Sequence, residues 1–309
     1  LQTSVTIDGI TNVPSASWNW AGPGINAGNQ MQENPNVLLS GTYTVTVTNT
    51  INGCTNTSTT AVTVNNTAPT VTAGPNQTLT CTTPNAILQG AGNGNGQPIT
   101  FAWTGPNNFM SNIPQPNVSA AGTYILTVLN TLNGCVKKDT VVIAANQTVP
   151  NASAGADSTI TCAEPSVRLI GSGSSSGPNF TATWNGPGIN AGNSNQYSPT
   201  VNQPGIYDVL ITNIVNGCTA TDTVIVNINT ALPTVDAGLD EILTCANPNG
   251  VTLNGSGTPA SVTYFWTGLG VGSNNETLPN PTVSQPDTYV LVVTNPVNGC
   301  TATDQVIVT

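Results

Sequence analysis

Seven cysteines hold most of the reactive chemistry in this 309-residue chain, and their spacing is regular. Cys54, Cys135, Cys218 and Cys300 recur about every 82 residues, inside the phrases NGCTNTS, NGCVKKD, NGCTATD and again NGCTATD. Cys81, Cys162 and Cys245 form a second series with the same period, after the dipeptides LT, IT and LT. A cysteine can act as a nucleophile, ligate a soft metal or bond to a second cysteine. The chain has no histidine, which removes Ser-His-Asp and Cys-His nucleophile systems and any His-bearing zinc site. No general acid–base pair stands at positions that repeat, so neither an enzymatic activity nor a cofactor is expected.

Composition narrows the partners further. Lys137, Lys138 and Arg168 are the only cations against 13 acidic residues, for a net charge of -10. Neutralising a nucleic-acid backbone takes a cluster of basic residues on one face, and an anionic lipid surface repels this charge. No run of about 18 apolar residues is present to span a bilayer. Neither an initiator Met nor a signal peptide opens the sequence, which therefore reads as an excerpt of something longer. Thr, Asn, Ser and Gly supply the polarity, as in secreted β-rich surface proteins.

The elements that must position the cysteines share their period. Trp20, Trp103, Trp184 and Trp266 recur near 82 residues, and so do Tyr43, Tyr124, Tyr207 and Tyr289. A fixed period of this kind marks a tandem array. The divisions fall at 1–66, 67–148, 149–231 and 232–309, with the first unit incomplete at its N-terminus. Each unit is a run of short strands. Tyr289, Leu291 and Val293 alternate onto one face, as do Tyr43, Val45, Val47 and Tyr207, Val209, Ile211. Period-2 patterning in Thr, Val, Ile and Tyr predicts half-buried strands, and Asn-Gly before each hairpin cysteine predicts a type I′ turn. Six or seven such strands in each unit predict a small antiparallel β-sandwich. The Trp then fills the core, joined by Trp18 in the first unit, and the Tyr takes the place of a tyrosine corner. Prolines at the junctions, Pro69, Pro150 and Pro233, pre-set the backbone and predict limited hinge motion.

The segments WTGP, NPTVSQPDTYVLVVTNPVNGCTATDQVIV and PTVDAGLDEILTC resemble the PKD-like and Ig-like repeats of giant surface proteins of Bacteroidota, including gliding-motility adhesins of the SprB type. The likeness covers all four units, although the FGDG turn of PKD domains proper is missing. It implies an all-β tandem array of four sandwiches forming an elongated rod, exported to the cell surface, usually by the type IX system. The implied role is a stalk, filament or adhesin. The partners expected are neighbouring repeats of the same chain and other copies in a filament. A second class of function is a carbohydrate-binding accessory array of a secreted enzyme. It requires an aromatic platform beyond the core Trp, for which only Phe109, Phe180 and Tyr197 are spare.

Cysteines in such an extracellular chain argue for disulfides over metal. Closure within each repeat, Cys81 with Cys135, Cys162 with Cys218 and Cys245 with Cys300, is the preferred pairing and closes loops of about 55 residues. The counterpart for Cys54 would fall at about position 0, so Cys54 pairs outside the sequence. In an immunoglobulin-type sandwich, however, the turn after LTC and the NGC hairpin lie at opposite ends, roughly 20 Å apart by the rise of a strand. A disulfide needs Cα atoms within about 7 Å. The rival pairing joins neighbours, Cys81 with Cys218 and Cys162 with Cys300, and bonds between chains are a third possibility.

Remaining candidates are weaker. Asp157, Asp236, Asp240 and Glu241 are the carboxylates that could hold calcium near a junction, against the simpler reading as solvated turns. Lysine occurs only at 137 and 138, which excludes Lys-Asn isopeptide bonds from three repeats. Thr140, Thr223 and, more loosely, Ser158 follow an aspartate as in the Bacteroidota O-glycan acceptor. The Gly/Asn loop GPGINAGN recurs at 22–29 and 186–193, pairing the first repeat with the third.

Overall fold

A computed structural model describes residues 4–309. The chain is all-β, a tandem array of Ig-like sandwiches, and falls into two compact units, Leu1–Asn146 and Gln147–Thr309. Four hydrophobic cores are present, each built around one of the periodic Trp and Tyr pairs. The repeats are called 1 to 4 in chain order.

Repeat 3 shows the plan. The Trp strand Phe180–Asn185 pairs antiparallel with the Tyr strand Gly205–Asn213, which pairs antiparallel with the closing strand Thr219–Asn229. A leading strand, Ser158–Thr161, then runs parallel to the end of the closing strand, with Ser158 opposite Val226 and Thr161 opposite Asn229. The short pair Val167–Arg168 and Thr200–Val201 covers the other side. Alternation places Tyr207, Val209 and Ile211 inside, all 0 % exposed, with Ile160, Val224 and Val226 completing the same core. Burying each such side chain is worth about 1.5–3 kcal/mol.

Repeat 2 keeps this order, with its leading strand Gln77–Leu79 parallel to the closing strand Val136–Ala145. It adds Phe109–Ser111 alongside the Trp strand, and Thr70–Thr72 pairs with Ala91–Asn93 on the second layer. In repeat 4 the leading segment touches the closing strand through one parallel bridge, Glu241 to Val308. Repeat 1 retains its Trp strand Ala16–Ala21, Tyr strand Gly41–Asn49 and closing strand Thr55–Val62. Its described residues contain no leading strand, and seven of the eight positions in its closing strand are exposed.

The tyrosine corners form as expected. Tyr43, Tyr124, Tyr207 and Tyr289 each donate their hydroxyl to the carbonyl four residues upstream, at Leu39, Ala120, Gln203 and Gln285, over 2.6–2.9 Å. Burial pushes the phenols of Tyr124, Tyr207 and Tyr289 above their ordinary range, so they remain neutral donors. In repeat 3 the ring lies against Gly186, whose left-handed backbone and missing Cβ make room for it.

Candidate functional site at the repeat junction

Chemistry concentrates where the NGC hairpin of one repeat meets the chain leading into it. The hairpin is not the two-residue type I′ turn that Asn-Gly predicts. In repeat 2, Asn130 donates its N–H to the carbonyl of Cys135 and accepts from Gly134, both at 2.9 Å, so four residues form the loop. The same two bonds recur around Cys54, Cys218 and Cys300. Only the glycine takes a left-handed backbone, with φ from 68° to 73° in the four hairpins. The preceding asparagine stays at negative φ.

That side chain bridges two segments. Its Oδ1 accepts the N–H of the hairpin cysteine at 2.9–3.1 Å in all four repeats. In repeats 2, 3 and 4 its Nδ2 reaches back to the linker ahead of the repeat. Asn133 donates to Asn65 Oδ1 and the Thr67 carbonyl, Asn216 to the Thr148 carbonyl, and Asn298 to Asn229 Oδ1 and the Ala231 carbonyl. Asn216 and Asn298 are each 1 % exposed, so these bonds satisfy groups that would be costly to bury unpaired.

In the second unit the junction is also covalent. Cys162, directly after the leading strand of repeat 3, is bonded to Cys300 in the hairpin of repeat 4, with Cα atoms 4.9 Å apart. Ala163 donates its N–H to the Asn298 carbonyl at 3.2 Å, and a Cβ at Gly299 would lie 2.5 Å from that of Ala163. The hairpin glycine is thus required both for its φ and for this approach. Within-repeat closure is overturned. Cys162 belongs to the bond just described, not to one with Cys218, and Cys135 and Cys245 are free thiols, so neither 81–135 nor 245–300 exists. The reason is register. Thr161 lies opposite Asn229, at the far end of the strand that Cys218 begins, which separates Cys162 from Cys218 by roughly 35 Å of extended chain. Cys81 and Cys218 each belong to a disulfide, whereas Cys54 is a free, exposed thiol.

A second recurring contact ties the leading segment to the closing strand of its own repeat. The N–H groups of Ala73, Ala154 and Ala237 donate to Asp139, Asp222 and Asp304, each at 2.8 Å. These aspartates all stand four residues after the hairpin cysteine. In return Asn76, Asp157 and Asp240 accept the N–H groups of Val142, Ile225 and Ile307 at 2.8–2.9 Å. Two of the calcium candidates, Asp157 and Asp240, are therefore strand clamps. Asp236 accepts from Gly238 at 2.9 Å, and Glu241 sits at the parallel bridge to Val308. Among the described residues no three Asp, Glu, Cys or His side chains gather as a metal site.

The remaining candidates are dispersed. Trp20, Trp103, Trp184 and Trp266 are core residues. Phe109 stacks edge-on against Tyr124 at 5.3 Å, and Phe180 and Tyr197 pack on the core of repeat 3, so these three form no shared exposed platform. Thr140, Thr223 and Ser158 all lie on strands, and Thr223 Oγ1 bonds Asp208 at 2.8 Å. The Gly/Asn loop has one form in three repeats rather than two. The N–H groups of Trp20, Trp184 and Trp266 each donate to the loop's far side at 2.7 Å, so repeat 4 shares the turn despite its different letters.

No family model matches the chain, and no curated protein matches it. Among solved structures it is similar to the I-band fragment I67–I69 from titin, at 10% identity over 79% of this chain and 98% of that one, with TM-score 0.37. It is also similar to the three N-terminal domains of the Hoc outer capsid protein of bacteriophage RB49, at 14% identity over 78% and 97%, with TM-score 0.34. The four N-terminal Ig domains of Dscam1 are similar at 12% identity over 99% and 95%, with TM-score 0.24.

Proposed function

We propose that the chain is a section of a long extracellular stalk or filament, of the kind built by Bacteroidota surface adhesins of the SprB type, in which successive sandwiches are joined covalently. The observation that carries this reading is the Cys162–Cys300 bond between adjacent repeats, reinforced by the Asn298 contacts to Asn229 and Ala231. A cystine between repeats persists in an oxidising environment, which supports a location outside the cytoplasm at the cell surface. Disulfides that close a single fold add stability to that fold alone. A bond across a junction also limits bending between neighbours, which suits a structural role better than a catalytic one.

The test is electron microscopy of the native material together with non-reducing peptide mapping. Thin fibres several repeats long, carrying the 162–300 linked peptide, are expected. Globular particles, or a fully reduced protein recovered from its native source, would refute the stalk.

A further inference from the structure

Each repeat turns one face of its Trp–Tyr–closing sheet away from the core, and the four faces differ. In repeat 1 the Tyr strand presents Thr42, Thr44, Thr46 and Thr48 there. In repeat 4 the face carries Phe265, Val290, Val292 and Ile307 without a charged residue. Repeats 2 and 3 each set one charge among apolar side chains. In repeat 2, Ile125, Thr127 and Leu129 stand opposite Thr140, Lys138 and Val136. Ile125, Val136 and Val142 are exposed, so Lys138 is an exposed cation in the middle of an apolar face. In repeat 3, Ile206, Asp208 and Leu210 stand opposite Ile225, Thr223 and Thr221. Ile206, Leu210 and Ile225 are exposed, and Asp208 is the exposed anion between them. Each charge is alone of its sign on such a face. Lys137 alternates onto the side of Val141 and Ile143, and Arg168 lies on the second layer. Asp139, Asp222 and Asp304 are the clamps, and Asp287 accepts the N–H of Leu269.

We propose that the Lys138 face of repeat 2 docks side by side on the Asp208 face of repeat 3 in a second copy of this chain. Charge names the occupant. At a net charge of -10, two copies repel over most of their surfaces, and attraction is left to the few places where a cation can meet a carboxylate. The apolar rows match as well, since Ile125 and Leu129 flank the level of Lys138 as Ile206 and Leu210 flank Asp208. Thr223 Oγ1 donates to Asp208 at 2.8 Å, which steadies the carboxylate and leaves it further lone pairs for an ammonium group. Joining the faces excludes water from around the pair and strengthens its attraction, while desolvation offsets much of the gain. The pair therefore sets partner and register more than affinity. Three strands about 4.8 Å apart, each eight residues long at about 3.3 Å, give roughly 400 Å² a side, about half of what a standard stable interface takes. A single contact is thus weak, and cohesion comes from repeating it along chains that lie together. The contact does not depend on the bond at the repeat junction.

The test is zero-length crosslinking of the 309-residue chain at high concentration with a water-soluble carbodiimide, which joins an amine to a carboxylate in contact with it. Peptide mapping should find Lys138 linked to Asp208 at least about fivefold above its link to any other carboxylate. Ile206→Asn keeps both reacting groups and should lower that yield at least about threefold by spoiling the apolar row. Chains carrying Lys138→Glu, or Asp208→Lys, cannot form the link by themselves. An equal mixture of the two variants supplies Lys138 from one chain and Asp208 from the other, and should restore it. Even linkage of Lys138 to many carboxylates would overturn the proposal. So would a link that forms in the unaltered chain but not in the mixture, because the pairing would then lie within one chain. Native fibres that carry the 162–300 peptide but no 138–208 link would sink the lateral contact alone. A 138–208 link in material without fibres would sink the stalk alone.

Discussion

Repeats 3 and 1 have the same Trp, the same tyrosine corner and the same four-residue hairpin, yet among the described residues only repeat 3 of the two has a leading strand beside its closing strand. In repeat 3 that strand adds Ile160 to the core and delivers Cys162 to the next hairpin. Among the described residues, the core cluster of repeat 1 has six buried residues against twelve, seven of the eight closing-strand residues are exposed, and the next hairpin cysteine is unbonded. One strand therefore does two jobs. It completes the sandwich it belongs to, and it carries the covalent link to the sandwich after it.

Four measurements can break or sharpen this contrast. The largest effect should come from the core: Trp184→Ala should destabilise repeat 3 by about 3–5 kcal/mol, and Trp20→Ala should cost repeat 1 roughly half as much, because its cavity already opens to solvent. Denaturant melts followed by hydrogen exchange in each repeat separate the two, and equal losses would erase the difference between the repeats. Next, Cys300→Ser should lower stability in the second unit by about 2–5 kcal/mol, whereas Cys135→Ser should leave the first unit unchanged. Matched melts with and without reductant check this.

The clamp comes third. Asp222→Ala should cost repeat 3 about 1–2 kcal/mol by orphaning the Ala154 N–H, while Ser58→Ala in repeat 1 should stay within about 0.5 kcal/mol. The smallest effect is one of pH. The N–H of Ala73, then that of Thr140, holds the carboxyl of Asp139 below its ordinary range. A carboxylate depressed in the folded state contributes stability that is complete above its unfolded pKa and lost as pH falls through the folded one. Repeat 2 should therefore weaken on acidification through the carboxylate range, and Asp139→Asn should flatten that slope in a stability-against-pH series. Repeat 1, with Ser58 at that position, should show no such term.

Much of this plan was legible in the letters. The period, the core Trp and Tyr, and the alternation of Tyr207, Val209 and Ile211 follow from residue types that report burial directly. The preferred pairing within repeats did not hold, because spacing is blind to it, whereas the rival of Cys162 with Cys300, argued from the opposite ends of a sandwich, is the bond that forms. The same hairpin cysteine recurs in every repeat, and only the parallel register of Thr161 with Asn229 decides which hairpin is within reach. Asn-Gly misled for a related reason. The asparagine Oδ1 instead folds back onto the cysteine N–H in all four hairpins, a contact that goes with a four-residue loop. Asp139, Asp222 and Asp304 were visible as a recurring letter, but their partners are backbone N–H groups, which any residue supplies. A carboxylate repeated at a fixed distance from a hairpin was the available signal.

The 162–300 bond also redirects tension. If the second unit is pulled from its two ends, the load enters at residue 147, crosses from Cys162 to Cys300 through sulfur, and leaves at residue 309. For a pull applied at those two ends, the 137 residues enclosed between the two cysteines lie off that line. Even with both sandwiches unravelled, roughly 450 Å of chain stays looped behind the cystine, at about 3.3 Å per residue. Such a tether holds its length under strain until a reductant cuts it, and then yields all of that slack.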